Sequence, residues 1–189
     1  MFKKVLVIGS LSIFALMLVA VIIIAVQPAD YAVERSATIE APIDVVFEQV
    51  DDLRRWDDWS TWSQIDPDYD TQFEGPERGE GAVFEWSGNP EVGAGRMTIV
   101  ESRPDEFIEI YLEFFEPFET SSSTEFAFTA EGEDATTVTW SMSGEHDFAG
   151  KAFSLFVDFE EVIGTDYEEG LVRLDEAAQS AAMASADSE

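Results

Sequence analysis

The side chains able to do chemistry in this chain are few in kind and unevenly placed. There is no cysteine, and there is one histidine, His146. Disulfides, thiolate metal sites, cysteine nucleophiles and lipid-modified cysteines are therefore excluded, as is a metal centre built from several imidazoles. A Ser-His-Asp arrangement would have to use His146, which stands between Glu145 and Asp147 just after Gly144. A histidine beside carboxylates can act as a general base. A polar strand-to-helix turn is the simpler setting for it, and the hydroxyls of Ser121-Ser122-Ser123-Thr124 stand at a strand entry. No catalytic residue is assigned, and the chain reads as a binder rather than an enzyme.

Carboxylates are the abundant group. Asp51-Asp52, Asp57-Asp58 and the alternating Asp66, Asp68 and Asp70 form clusters. The last set opens like an EF-hand loop, but Thr71 stands at the sixth position, where the sharp turn needs glycine. No metal and no cofactor are expected. The 189 residues hold 40 Asp and Glu against 10 Lys and Arg. Lys3 and Lys4 precede every acidic residue, so the rest of the chain carries 8 basic against 40 acidic groups, a balance of −32. Such a field repels phosphate backbones, so no nucleic-acid partner is expected. It equally disfavours flat docking on anionic lipid. It suits high salt, where repulsion between carboxylates is screened, and the composition is that of a halophilic protein. Arg35 and Arg96 are placed to meet either a ligand carboxylate or the chain's own acids.

Aromatic residues are the third resource: 15 Phe, 5 Trp and 4 Tyr. Trp56, Trp59 and Trp62 recur every three residues. They can form a lip over a cavity mouth or staple a short helix onto a sheet edge, burying much area. Trp62 is the one expected to face a cavity. Ligand-binding candidates are Trp62, Phe84, Trp86, Met97, Ile110, Leu112, Phe126, Trp140, Met142, Phe156 and Phe159. Met97 and Met142 are flexible enough to follow ligands of varied shape. Ordinary core packing would fill the same space.

The elements that must position these residues follow from periodicity. Residues 31–41 alternate as a strand, with Val33, Arg35, Ala37 and Ile39 on one face. Pro42 suits the first turn of a helix carrying Val45, Val46, Phe47 and Val50 as its stripe. A second short helix or turn holds the tryptophans. Turn signals then separate strands predicted at 68–73, 81–87, 95–102, 106–115, 121–130 and 136–144, close enough in sequence for an antiparallel meander. Phe84 and Trp86 share a face, as do Met97 and Ile99, Ile108 to Phe114, Phe126 and Phe128, and Val138, Trp140 and Met142. Acidic residues fill many alternate positions, so one face is solvated and the other packed. After Gly144 the pattern is helical. Gly164 interrupts it, and Thr165-Asp166-Tyr167-Glu168 reads as a capping box that restarts the helix. Residues 179–189 read as a disordered tail.

Ahead of all this lies an uncharged run from Val5 to Val26. As a helix it would measure about 33 Å, enough for a bilayer core, and it is longer than the apolar stretch of a cleaved signal. The division predicted is a cytoplasmic stub and transmembrane anchor at 1–26, a linker at 27–30, a domain at 31–178 and the tail. The lysines before the run place the N-terminus in the cytoplasm, and the domain in the periplasm or outside the cell.

Several strings resemble the SRPBCC superfamily, the START-like and Bet v 1-like helix-grip domains that include the polyketide cyclase/dehydrase and lipid-transport group. These are Val33-Glu34-Arg35-Ser36, Ile39-Glu40-Ala41-Pro42, Val46-Phe47, the three tryptophans, Gly93 to Ile99, and Thr139-Trp140-Ser141-Met142. The anchor ahead of them is similar to that of a membrane-tethered bacterial subgroup. The resemblance, over residues 31–177, implies an α+β fold with a curved antiparallel sheet of six or seven strands around a long C-terminal helix. It implies a hydrophobic small-molecule ligand, a lipid, isoprenoid or aromatic metabolite, in an internal cavity. A cyclase or dehydratase using that cavity, and an interaction domain with a filled core, are the other expectations. It carries over no shared catalytic motif.

Overall fold

The computed structural model describes residues 2–186. The chain divides into two compact units, Met1–Tyr31 with Glu145–Phe159, and Ala32–Gly144 with Glu160–Glu189.

The larger unit is built on a seven-stranded sheet. Its strands are β1 (Asp30–Ile39), β2 (Asp70–Glu74), β3 (Val83–Ser87), β4 (Ala94–Arg103), β5 (Phe107–Glu116), β6 (Thr120–Ala130) and β7 (Thr136–Glu145). The order is β1-β7-β6-β5-β4-β3-β2. From β2 to β7 each strand pairs antiparallel with the next, as short turns rich in glycine require. Alternation places Ile99, Ile108, Ile110, Phe126 and Val138 on one face without solvent exposure. The opposite face carries acids such as Glu85 and Glu109. Helix α2 (Ile43–Asp51) starts directly after Pro42, whose fixed φ suits a helix entry. It buries Val46, Phe47 and Val50. The chain then turns through the four-residue helix α3 (Trp56–Trp59).

Helix α5 (Phe159–Ala186) differs from expectation at two places. It runs through Gly164 without a break. The Thr165 hydroxyl donates to the Glu161 carbonyl at 2.8 Å, one turn back in the same helix, instead of capping a new one. The glycine is there for a neighbour: a Cβ at 164 would occupy the space of the Arg35 guanidinium. Arg35 reaches from β1 across that gap to Glu168 at 2.7 Å and Glu160 at 3.0 Å. The helix also continues past residue 178 to Ala186, which its alanine-rich sequence favours. Residues 187–189 of the expected tail lie outside the described residues.

In the smaller unit, α1 (Phe2–Ala25) is a helix as expected. The His146 amide donates to the Ala29 carbonyl at 2.8 Å, and Asp147 caps α4 (Phe148–Phe153) by accepting from the Gly150 amide at 2.7 Å. The reading of residues 5–26 as a transmembrane anchor is corrected. Among the described residues no helix is long and apolar enough to cross a membrane. The single-pass localisation, the cytoplasmic N-terminus, the outer domain and the membrane as a partner fall with it.

Candidate functional site

The sheet, α3 and α5 enclose a cavity of about 280 Å3 within the larger unit. Strand register builds its floor. Phe84, Met97 and Leu112 stand opposite one another across β3, β4 and β5. The next row is Trp86, Gly95 and Phe114. Gly95 is required there, because a Cβ would press into the Trp86 ring and the Glu113 carbonyl. The indole thus lies where a side chain on β4 would otherwise be, and Phe114 meets it edge-on at 5.8 Å.

Trp140 on β7 joins the sheet to α5. It stacks on Tyr167 at 3.7 Å between centroids and 11° between planes, and on Phe126 at 4.8 Å. Gly170, one turn further along α5, leaves room for the indole. The Thr124 hydroxyl is the hub of the polar contacts here. It donates to the Ser141 carbonyl at 2.9 Å and accepts from Trp140 Nε1 at 2.9 Å. A hydroxyl has one proton, so the Tyr167 phenol, 3.3 Å away, is the donor in their contact. Thr124, Trp140 and Tyr167 are all at least 97% buried. The other polar lining groups are Ser60 and Tyr69. The Tyr69 phenol donates to Asp57. Burial first, and that hydrogen bond second, push its pKa above the ordinary tyrosine value, so it stays protonated at neutral pH.

The tryptophan triplet splits its roles. Trp56 and Trp59 are buried, with Nε1 donating to the Val50 and Gln49 carbonyls at 3.0 and 3.1 Å. They staple α3 onto Phe126 and Trp140. Trp62 is half-buried and sits edge-on to Trp140 at the cavity.

Of the eleven ligand candidates, the structure gathers Trp62, Phe84, Trp86, Met97, Leu112, Trp140 and Met142 around the cavity. Ile110 and Phe126 lie in the packed core. Phe156 is 88% exposed, and Phe159 packs edge-on against Tyr31 and His146; both belong to the smaller unit. His146 itself stacks on Tyr31 at 4.5 Å. Sequence reasoning missed Thr124, Tyr69 and Tyr167 as lining residues, together with Phe114, Ile163 and the rim carboxylates Glu91 and Glu116. Phe114 and Thr124 have the strand parity of their inward neighbours, and Tyr167 belongs to the apolar stripe of α5, so the signal was present. Arg35 and Arg96 are both occupied by protein carboxylates, Arg96 by Glu85 on the neighbouring strand. Among the described residues no group of three or more His, Cys, Asp or Glu is placed to hold a metal ion.

Comparison with known proteins agrees with this architecture. The profile of the family described as polyketide cyclase / dehydrase and lipid transport matches residues 31–179. No curated protein matches. Among solved structures, the chain is similar to a protein of unknown function from Staphylococcus aureus at TM-score 0.62 and 12% identity. That match covers 82% of this chain and 97% of the other. It is similar to the Zhui aromatase/cyclase from Streptomyces sp. R1128 at TM-score 0.56 and 16% identity, over 79% and 94% of the two chains. The Aha1 dimer from Colwellia psychrerythraea gives TM-score 0.56 and 15% identity, over 78% and 96%. At these identities the likeness is one of fold.

Proposed function

We propose, on the premise that the chain belongs to the polyketide cyclase / dehydrase and lipid transport family within the SRPBCC superfamily, that its cavity receives one compact, largely apolar small molecule. The observation that carries this reading is the hollow itself. Ordinary cores are filled, whereas here aromatic and thioether side chains surround about 280 Å3 of open space. Functional small-molecule pockets begin at about 300 Å3, so the occupant is the size of a fused-ring aromatic or a single short chain, not a two-chain lipid. The deep polar atoms at Thr124, Trp140 and Tyr167 bond one another, so the ligand is held chiefly by apolar contact. The cavity's carboxylates, Glu91 and Glu116, are exposed, and a cyclase or dehydratase would need an acid/base pair deeper inside. Binding is therefore the reading the geometry favours.

The test is native mass spectrometry of the purified chain, followed by organic extraction, beside a Leu112→Trp variant. Leu112 faces the hollow from β5, and the larger ring occupies it. The expected result is an apolar molecule bound one-to-one in the parent and absent in the variant. A parent that carries nothing and takes up no fluorescent apolar probe would overturn the reading.

A further inference from the structure

The charge distribution of the cavity assigns a class of ligand, an inference that rests on the binding reading above. Of the eighteen residues that line the cavity, eight are aromatic and only two are charged, Glu91 and Glu116. Among the described residues no lysine, arginine or histidine reaches it. The two residues belong to one end of the sheet, where β5 finishes beside the turn between β3 and β4. Glu116 lies opposite Ala94 at the start of β4, and Glu91 belongs to the turn just before. That turn approaches so closely that a Cβ on Gly93 would collide with the Glu116 carbonyl. Neither carboxylate has a hydrogen bond or ion pair with a described side chain, whereas the arginines nearby on the sheet are held elsewhere, Arg96 by Glu85.

We propose that the cavity selects a hydrophobic cation: an aromatic or aliphatic body carrying one ammonium-type group, its body among the rings and its charge at the mouth between Glu91 and Glu116. Aromatic rings attract cations through their quadrupoles. The two mouth carboxylates add a modest, solvent-screened attraction, and the chain's net charge of −30 raises the local cation concentration. A carboxylate ligand meets the reverse. It must shed water with no cation to replace it, or emerge between two like charges. Free fatty acids and acidic aromatics are thus the poorest ligands of their size.

Three matched probes test this in tryptophan-fluorescence titrations of the full chain: phenylbutylamine, phenylbutanol and phenylbutanoate at neutral pH. The expected order is amine, alcohol, carboxylate, with the amine about tenfold tighter in Kd than the alcohol, the size of one partly desolvated cation–π contact, and the carboxylate weaker than the alcohol. In the Glu91→Gln, Glu116→Gln double variant the amine-to-alcohol ratio falls several-fold. A Glu34→Gln, Glu133→Gln variant, which loses the same charge away from the mouth, keeps the parental ratio. Phenylbutanol binding with the amine no tighter than the carboxylate overturns the charge inference and leaves the cavity reading standing, as does a ratio unmoved by the mouth substitutions. Failure of all three probes to bind overturns both.

Discussion

Thr124→Val is the sharpest probe of how the cavity wall is held. Valine matches threonine in shape, so the change opens no void; it removes only the oxygen. That oxygen accepts from Trp140 Nε1 at 2.9 Å and from the Tyr167 phenol at 3.3 Å. Thr124, Trp140 and Tyr167 retain 3%, 2% and 2% of their exposure, so water cannot take its place. Leaving a buried donor without its acceptor costs about 1–3 kcal/mol. The Trp140 bond belongs at the middle of that range, giving about 2 kcal/mol. A chain of this size loses about 2–4 °C of Tm per kcal/mol, so the midpoint should drop by about 4–8 °C. The assay is calorimetric or circular-dichroism melting, with Thr124→Ser as control. Serine keeps the oxygen and loses one methyl, at a cost of about 1 kcal/mol. The reasoning is refuted if the valine variant melts within about 2 °C of the parent, or if the serine variant is the less stable of the two.

Gly95→Ala should destabilise the fold by about 1–3 kcal/mol, because the new methyl meets a backbone carbonyl that cannot yield as well as the Trp86 ring; urea titration measures it. Gly164→Ala should be nearly neutral in the same titration. It displaces Arg35 from two half-exposed ion pairs, which solvent screening leaves weak, and gains about 0.5–1 kcal/mol of helix propensity. A loss above about 2 kcal/mol would show that the Arg35 clasp does more than these pairs allow. Tyr69 should give its phenolate absorbance later than a free tyrosine on raising the pH, because burial and Asp57 hold its pKa up. The folded state then keeps a proton that the unfolded chain loses near pH 10, so this contribution to stability is complete below pH 10 and declines above it; Tyr69→Phe should remove the late step. Raising sodium chloride from tens of millimolar to molar should raise Tm by several degrees, as screening relieves the net charge of −30. A flat or falling Tm would count against the acidity being a salt adaptation.

The sheet was legible because its strands alternate cleanly and its turns are marked by glycine. Each of the six strands expected after residue 65 ends within two residues of its predicted limits, and side chains such as Ile108, Phe126 and Val138 face the side their parity assigns. The helices were less legible where local and tertiary signals compete. Gly164 and the Thr165 box look like a stop and a start, yet α5 passes through both. The glycine answers to Arg35, more than a hundred residues earlier in the chain. No local rule registers that contact. The N-terminal run shows a different failure. Counting uncharged residues gives a length, but a span must hold that length as one apolar helix, and none of the described helices does.

The candidate site shows what parity leaves out. Ile110 and Leu112 share a face of β5, and Phe126 shares the inner face with Trp140, yet only Leu112 and Trp140 border the hollow. The difference lies along the strands, not across them. Trp56 and Trp59 pack onto Phe126 at 5.9 and 6.3 Å and close that end of the inner face. Beyond them the chain supplies Trp62, which is only half-buried, and the rows Phe84–Met97–Leu112 and Trp86–Gly95–Phe114 have no comparable plug. The glycine in the second row widens the space further by letting Trp86 lie flat on the sheet's strand rather than stand over it. The hollow therefore follows from how far three tryptophans at three-residue spacing can reach: two fill, the third stops at the edge. A sequence that moved the triplet one turn later would be expected to exchange the packed and open ends, with Leu112 covered and Ile110 exposed to the cavity.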